Sequence, residues 1–380
     1  MTEVVIGPPA CIGMLGGGQL GRYALMAARR MGYRTMVLDP SPYAPAGAVA
    51  DIHLQAAYDD EAALDALAAQ CAVVTAEFEN PPAASLARLS DRCRVVPSAM
   101  SFAIAQDRIA EKTFLGDLGV PVAPWTPVTS ADTLPDHVGD LLPGLLKTAR
   151  LGYDGHGQRS VTSVDELRRA FANLGGVPCV LEQRLPLTCE LSVVLARDVH
   201  GAVATYPLAE NLHRNGILDT TLVPARVDHH LAHQAVAMAE GIARGLDHVG
   251  VLAVELFVVE GSLLVNELAP RPHNSGHWTL DAARTDQFTQ QLRTAVGVPP
   301  GPTALTAPAV AMVNLLGDLW HDGEPDWSTV LNEPTAHLHL YGKHEARPGR
   351  KMGHLTVVGD QLDAVTALAT ALRNGLQPRH

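Results

Sequence analysis

The chain has 380 residues, and at about 100–200 residues per domain this length predicts two or three domains. Its 28 basic and 40 acidic residues give a net charge of −12, which disfavours a protein that coats DNA or an anionic membrane but permits a local basic pocket for small anions. Hydrophobic residues make up 47% of the chain, enough for substantial cores, and no apolar stretch reaches the roughly 18 residues of a membrane span.

The N-terminus and the cysteines predict a cytoplasmic protein, and we expect neither nucleic acid nor a membrane as its partner. The chain does not begin with a basic segment followed by an apolar core and a cleavage site, as a secreted protein would. The cysteines are odd in number and form no C-x-x-C pair, which is typical of reduced thiols. They are Cys11, Cys71, Cys93, Cys179 and Cys189.

The basic residues are unevenly divided, since 24 are Arg and only four are Lys. In a chain that favours Arg this strongly, each remaining Lys is somewhat more often kept for something that Arg cannot do. Ordinary surface solvation explains a single Lys about as well. The four are Lys112, Lys147, Lys343 and Lys351.

The first hundred residues alternate between strand and helix patterns, which predicts a parallel sheet covered by helices. Predicted strands cover residues 11–15, 35–39, 72–78 and 94–96, and predicted helices cover 20–31 and 60–70. A connecting helix over 106–118 follows and is stopped by Gly119 and Pro121.

The rest of the chain predicts a small unit followed by a larger α+β unit. The small unit has strands at 144–148 and 179–182, a helix at 164–174 and a Gly-rich loop, and its size is typical of a lid. Residues 190–299 form the larger unit, with one hairpin around Gly261. A proline-rich crossing over 298–308 leads to a last α+β piece.

A glycine-rich turn joins the first strand to the first helix. Gly16 to Gly21 carries the pattern G-x-G-x-x-G, and Asp39 ends the next strand. Such a turn lets backbone N–H groups and a helix N-terminus meet an anion. Alone it favours an NAD(P)-dependent oxidoreductase, although a single phosphate or a purely structural turn also fits.

The predicted lid carries a second glycine-rich loop, from Gly152 to Gln158, after Lys147 at the end of a strand. Its N–H groups could approach phosphates, and a plain flexible hairpin is the alternative. The strand over 180–183 could hydrogen-bond adenine along its edge, with Glu190 near the ribose. For Glu182 and Glu190 taken alone, a solvated side chain is the better interpretation.

The hairpin around Gly261 predicts a metal site. If residues 260–262 form a three-residue loop, Glu255 directly faces Glu267, and opposed carboxylates are unfavourable unless a cation lies between them. Two carboxylates together with substrate phosphates suit Mg²⁺. A two-residue loop would shift the register by one and separate the pair, and a solvent-facing pair is the alternative.

Two further segments predict anion binding. His273 and His277 have a zinc-like spacing, but the Pro-Arg-Pro before them and the Asn-Ser-Gly between them make a helix improbable, so the loop better suits an oxyanion. Residues 347–354 form the one concentrated basic cluster, for which a solvated turn is the alternative.

Five segments together resemble the N5-carboxyaminoimidazole ribonucleotide synthetases, the ATP-grasp carboxylases of bacterial and fungal purine biosynthesis. They are GGGQLGR from Gly16, GYDGHGQ from Gly152, YPLAENLHRNGI from Tyr206, NELAPRPHNSGHW from Asn266 and RPGRKMGH from Arg347. The resemblance implies a mixed α/β and α+β chain with an ATP-grasp fold. Its domains would be a Rossmann-like domain over 1–105, a linker helix and lid over 106–187, and a C-terminal catalytic domain over 188–380 that includes the α+β piece 305–380.

The resemblance also implies roles for individual residues, with Glu255 and Glu267 as the Mg²⁺ ligands. The reacting centre would contain Tyr153, Asp154, Arg271, His273, Asn274 and Lys351. The ATP site would contain Arg108, Lys147, Gly152, Tyr153, Asp154, Gly155, His156, Gly157, Gln158, Glu182, Gln183, Arg184, Leu185, Glu190, His213, Asn266 and Glu267. The ribonucleotide site, including the phosphate site at the first glycine-rich turn, would contain Gly18, Gln19, Leu20, Glu79, Ser275, Arg347, Arg350, Lys351 and His354.

The implied reaction uses ATP, Mg²⁺, bicarbonate and 5-aminoimidazole ribonucleotide in a homodimer. Bicarbonate attacks the γ-phosphate, the carboxyphosphate releases CO₂ in a closed site, and the substrate amine attacks CO₂. Either Asp154 or the released phosphate takes the amine proton. Two departures stand out: His156 replaces a larger basic residue, and Ala269 stands where many ATP-grasp enzymes have a metal-binding Asn.

Overall fold

The computed structural model describes residues 5–152 and 157–376, which form three β-sheets with helices packed around them. The strands are β1 (Cys11–Leu15), β2 (Arg34–Leu38), β3 (Ile52–Leu54), β4 (Val73–Ala76), β5 (Arg94–Val95), β6 (Trp125–Val128), β7 (Gly144–Thr148), β8 (Gln158–Val161), β9 (Cys179–Gln183), β10 (Cys189–Arg197), β11 (Val203–Thr205), β12 (Ala209–Arg214), β13 (Ile217–Val223), β14 (Gly250–Val259), β15 (Ser262–Ala269), β16 (Ala309–Leu316), β17 (Ala336–Leu340) and β18 (Lys351–Gly359). The α-helices are α1 (Gln19–Arg30), α2 (Glu61–Gln70), α3 (Ala83–Ser90), α4 (Ala99–Ala105), α5 (Arg108–Asp117), α6 (Val164–Asn173), α7 (His229–Gly245), α8 (Thr279–Ala282), α9 (Gln287–Ala295), α10 (Ser328–Leu331) and α11 (Leu362–Asn374).

The N-terminal sheet is parallel, with the order β3-β2-β1-β4-β5, as the alternation of strands and helices predicts. The sequence pattern did not predict two elements of this domain: β3, which has only three residues, and α3, which follows directly after two prolines. The carboxyl ends of β1 and β4 lie side by side, since Leu15 pairs with Ala76. This edge therefore brings the first glycine-rich turn next to the segment that follows β4.

The predicted connecting helix is α5, and a further helix that was not predicted, α4, precedes it. Helix α5 begins at Arg108, two residues later than predicted, because the Asp107 carboxylate accepts a hydrogen bond from the Ile109 N–H (2.9 Å) and caps its first turn. Glu111, Lys112 and Leu115 are buried on its inner face. Two of these three are charged, so this face is part of the site as well as of the core.

The lid has an antiparallel sheet in the order β6-β9-β7-β8, with α6 packed against it. The predicted strands over 144–148 and 179–182 and the predicted helix are confirmed to within one residue, whereas β6 and β8 were not predicted.

The C-terminal sheet has the order β15-β14-β10-β12-β13-β16-β18-β17, and β11 pairs with β10. The predicted domain limits stay predictions; they fall between these sheets.

The predicted loop of the Gly261 hairpin is wrong, although its main consequence is correct. Val259 pairs with Ser262, so the loop has two residues, Glu260 and Gly261, both with positive φ (49° and 79°) as a tight hairpin turn requires. A β-bulge follows: Leu256 pairs with Val265, but Glu255 pairs with Glu267. The extra residue, Asn266, restores the register that the short loop had shifted.

The N-terminal domain packs firmly on the C-terminal part. Tyr23 of α1 contacts Phe288 of α9, with ring centroids 5.2 Å apart, and also lies beside His277, His339, Tyr341 and His354. In the described part of the chain, no helix has both the length and the apolar character that a membrane crossing needs.

Candidate active site

A cleft of about 1180 Å³ opens between the three sheets and gathers residues from distant parts of the sequence. The predicted site residues on its wall are Gln19, Leu20, Glu79, Gly152, Gln158, Glu267, Arg271, His273, Asn274, Arg347, Arg350 and Lys351. A small cavity of about 20 Å³ lies beside it and is lined by Arg108, Glu111, Gly152 and Glu267, among others. The predicted phosphate turn, the basic cluster and Glu267 of the predicted metal pair (Glu255 and Glu267) therefore share one space, whereas Glu255 is not on the wall.

The first glycine-rich turn is already occupied by side chains of this chain. The Glu77 carboxylate accepts hydrogen bonds from the N–H groups of Gly18 and Gly21, and Asp39 accepts one from Gly17 (2.7 Å). Burial raises the pKa of Glu77, which the two glycine N–H groups only partly offset. A dinucleotide pyrophosphate would need these same N–H groups, so the geometry disfavours the oxidoreductase alternative. Sequence reasoning missed Glu77.

Glu255 and Glu267 face each other across the β14–β15 ladder. Burial and the nearby Glu267 charge raise the pKa of Glu255 to about 7. Burial would also raise the pKa of Glu267, but the positive charges of Arg108 and Lys147 lower it overall. Arg108 lies 3.1 Å from Glu267, and the Asn266 amide donates to Glu255 (3.3 Å).

These side chains fit Mg²⁺, which prefers oxygen ligands and is often held by two carboxylates and substrate phosphates. The repulsion that raises the pKa of Glu255 is the interaction that a divalent cation between the two carboxylates would reverse. His273 Nε2 lies 3.6 Å from Glu255, and burial keeps the pKa of this imidazole well below its usual value. Its neutral form adds no positive charge that would compete with the cation.

The lid contributes a buried row of three charges. The Glu182 carboxylate on β9 lies 2.7 Å from Lys147 Nζ on β7 and 3.0 Å from Lys112 Nζ on α5. Burial would raise the pKa of Glu182, but the two ammonium groups outweigh it and lower the pKa to about 2. The carboxylate is therefore ionised at neutral pH and forms an ion pair with each lysine.

The strand edge predicted to bind adenine already forms some of its backbone hydrogen bonds within the chain. The N–H groups of Gln183 and Arg184 donate to the carbonyls of Pro124 and Pro143, both at 2.9 Å. An adenine at this edge would have to use the carbonyls or the N–H of Leu185. Farther along, His213 Nδ1 lies 3.0 Å from the Glu190 carboxylate. Burial alone would lower the pKa of His213, but the Glu190 carboxylate helps to raise it overall.

The segment after β15 is held rigidly. Arg271 forms an ion pair with Glu79, and His273 Nδ1 lies 2.8 Å from the Ser275 hydroxyl. The side-chain amide of Asn274 exchanges hydrogen bonds with that of Asn314 at 2.7 and 3.1 Å. These contacts fix the groups that line the cleft next to the metal pair, as preorganised binding requires.

The basic cluster faces the cleft from the opposite side. Arg347, Arg350 and Lys351 line it together with Lys343, whose ammonium donates to the Lys351 carbonyl (2.5 Å). His354 does not reach the wall: it is fully buried, with Nδ1 3.0 Å from the Tyr341 hydroxyl. Any effect of His354 on the substrate would therefore be indirect, through the residues that surround it.

Four predicted residues of the lid loop, Tyr153, Asp154, Gly155 and His156, lie outside the described residues. The flanking residues Gly152 and Gln158 line the cleft. The Gly157 carbonyl accepts a hydrogen bond from Thr148 N–H (2.8 Å), which places this end of the loop beside β7.

Sequence reasoning also missed Glu111, Lys112 and Lys343 as site residues. Glu111 is buried and accepts a hydrogen bond from the Leu268 N–H (2.6 Å), and burial raises its pKa to about 8. The spacing Arg108, Glu111 and Lys112 places three charges on one helical face, a signal that could have been used. The scarcity of Lys singled out Lys112 and Lys343 but assigned them no role.

Comparisons with known proteins follow the same division of the chain. Three family profiles match: the ribonucleotide synthetase preATP-grasp domain over residues 10–106, the ATP-grasp domain over 113–288, and the phosphoribosylaminoimidazole carboxylase C-terminal domain over 310–368. The chain is 46% identical over 360 residues to the N5-carboxyaminoimidazole ribonucleotide synthase of Brucella melitensis, covering 94% of this chain and 98% of that protein. The Bacillus subtilis synthase is 44% identical, with 94% and 93% covered.

Solved structures agree in fold over nearly the whole chain. The N5-carboxyaminoimidazole ribonucleotide synthetase of Thermus thermophilus superposes with a TM-score of 0.89 at 42% identity, covering 97% of this chain and 99% of that one. The Aspergillus clavatus synthase, solved with ADP and 5-aminoimidazole ribonucleotide, gives a TM-score of 0.85 at 27% identity, with 98% and 99% covered. The three sheets and their order of connection are therefore shared with these enzymes.

Proposed function

The chain belongs to the N5-carboxyaminoimidazole ribonucleotide synthases, and from that premise we propose which of its residues perform the reaction. It is an ATP-grasp ligase that binds ATP and 5-aminoimidazole ribonucleotide and carboxylates the latter in purine biosynthesis. One observation supports the assignment of roles most strongly. A single cleft is lined by the predicted phosphate turn, the Glu267 carboxylate and the basic cluster, so both substrates can meet in it.

We assign ATP to the side of the cleft between the lid and the C-terminal sheet. Lys147 and Arg108 supply positive charge there, and Glu190 and His213 lie at its far end. Glu255 and Glu267 would hold Mg²⁺, which when bound neutralises charge on the phosphates as they transfer. Arg108 also holds Glu267 in place, since it bonds the oxygen of that carboxylate and the carbonyl of Gly152 at the start of the lid loop.

The ribonucleotide occupies the other side of the cleft in this proposal. Gln19 and Leu20 at the start of α1, with Lys343, Arg347 and Arg350 opposite, offer N–H groups and cations to its phosphate. The ion pair of Arg271 with Glu79, together with Asn274, supports the reacting end of the substrate. Because Glu77 occupies the N–H groups of Gly18 and Gly21, the phosphate contacts would fall between them, at Gln19 and Leu20.

The reaction proceeds through carboxyphosphate in our proposal. A bicarbonate oxygen attacks the γ-phosphorus, the bond to ADP breaks, and carboxyphosphate then divides into CO₂ and phosphate. The substrate amine attacks CO₂, forms the new N–C bond and gives its proton to Asp154 or to the released phosphate. Closure of the lid excludes water, which would otherwise hydrolyse carboxyphosphate before the amine reacts. A cytoplasmic homodimer, supported by the family likeness alone, completes the proposal.

Transfer of labelled oxygen tests the carboxyphosphate step. In a single turnover started with fresh ¹⁸O-bicarbonate, the attacking oxygen stays on phosphorus, so the phosphate formed should carry one ¹⁸O atom. Mass spectrometry of the phosphate measures this, and unlabelled phosphate mixed with labelled bicarbonate and enzyme without ATP is the control. Phosphate without label, formed along with the carboxylated product, would contradict the route.

A further inference from the structure

The charge row in the lid contains a cation with no direct access to substrate. Lys112 Nζ lies 3.0 Å from one oxygen of Glu182, while Lys147 Nζ lies 2.7 Å from the other. Neither side chain is on the cleft wall, but that of Lys112 is 1% exposed and that of Lys147 is 12% exposed. Of the two, Lys147 is therefore the one that ATP can reach.

The balance of charge in this row depends on the buried cation. Lys147 and Glu182 alone would form a neutral pair, whose attraction for a polyphosphate would be weak. With Lys112 added, the three groups carry one net positive charge in surroundings where water screens little. The charge of Lys147 already reaches the metal pair, since it helps to lower the pKa of Glu267.

We propose that Lys112 is a positioning residue that compensates Glu182, so that the ammonium of Lys147 keeps its net charge for the polyphosphate of ATP. The inference rests on the proposed function, in which Lys147 contacts ATP. Glu182 then holds Lys147 in place by a short hydrogen bond without neutralising the site. The competing explanation is mechanical: Lys112 would only tie α5 to the lid sheet through Glu182.

Removing Lys112 separates these explanations when nucleotide affinity is measured by calorimetry at constant Mg²⁺. The Kd for ATP should rise by about 10-fold or more in Lys112→Met, because one nearby charge is lost. The Kd for AMP, which lacks the β- and γ-phosphates, should change much less. Equal losses for ATP and AMP would overturn the proposal in favour of the tether.

A charge-balanced double variant is the sharper test. Lys112→Met with Glu182→Gln removes opposite charges, so the net charge at Lys147 is restored, and most of the ATP affinity should return. A mere tether predicts that the double variant binds ATP no better than Lys112→Met, and that result would overturn the proposal. If Lys112→Met does not fold, the double variant is compared with Glu182→Gln instead. Our proposal predicts that the double variant binds ATP about 10-fold more weakly than Glu182→Gln, because it lacks one more positive charge. A tether is already broken in Glu182→Gln, so the mechanical explanation predicts equal affinity.

Two further variants complete the experiment. Arg373→Met removes a cation from a buried ion pair with Asp219 outside the cleft, and it should lower the melting temperature without changing the Kd for ATP. Lys147→Met should weaken ATP binding at least as much as Lys112→Met. Unchanged affinity in Lys147→Met would overturn the ATP site and this inference together, whereas a loss in Lys147→Met alone would overturn only the role of Lys112.

Discussion

Glu267→Gln should abolish turnover while the chain stays folded. The substitution removes half of the negative charge that faces Mg²⁺ and also the partner of Arg108, 3.1 Å away. Because metal stabilisation of transferring phosphate is worth several kcal/mol, kcat should fall by about 1,000-fold or more. Glu255→Gln should have a similar or somewhat milder effect. Steady-state ADP release together with thermal melting measures both.

Glu210→Gln is the matched control for this pair. Glu210 lies on β12 of the same sheet and is buried against Arg226, which it binds through both oxygens, but it is not on the cleft wall. Its replacement should cost stability and leave kcat unchanged. Near-normal activity in both Glu255→Gln and Glu267→Gln, or activity that does not depend on Mg²⁺, would mean that this pair does not bind the metal.

Lys351→Arg should be strongly impaired although the charge is kept. Lys351 lines the cleft at the start of β18, where the ladder with β16 is irregular, and its carbonyl is bonded by Lys343. An ammonium approaches an oxyanion as a compact point charge, whereas a guanidinium is wider and directs its donors along fixed lines. A displacement of about 1 Å in such a site costs on the order of 100-fold in kcat.

The comparison of kcat with ATP affinity decides the role of Lys351. We expect kcat to fall much more than ATP binding weakens, because Lys351 lines the side of the cleft that we assign to the ribonucleotide. A solvated turn predicts instead an unchanged rate and a stability within about 0.5 kcal/mol of the parent chain. Steady-state kinetics, with the Kd for ATP measured separately, would exclude Lys351 from the site if kcat were unchanged.

Periodicity predicts the parallel N-terminal sheet and the main lid elements well, since each is a local pattern. The Glu255–Glu267 pair shows where such reasoning is fragile. The predicted three-residue loop is wrong, and the two carboxylates meet because a bulge at Asn266 compensates for the shorter turn. Bulges depend on packing between strands, which a single sequence does not display.

Long-range polar contacts are the other part that the sequence could not predict. Glu77 occupies the first glycine-rich turn from 56 to 59 residues away, and Glu182 joins lysines from two different elements. The scarcity of lysine is informative in retrospect: two lysines bind Glu182, and the other two line the cleft. Composition indicated these residues, but only the fold shows what each one contacts.

ADP release with and without 5-aminoimidazole ribonucleotide shows whether one cleft couples ATP cleavage to the second substrate. With ATP, Mg²⁺ and bicarbonate alone, we expect slow release of ADP. Addition of the ribonucleotide should accelerate it strongly, in step with formation of the carboxylated product. ADP release that is equally fast without the ribonucleotide would contradict the account.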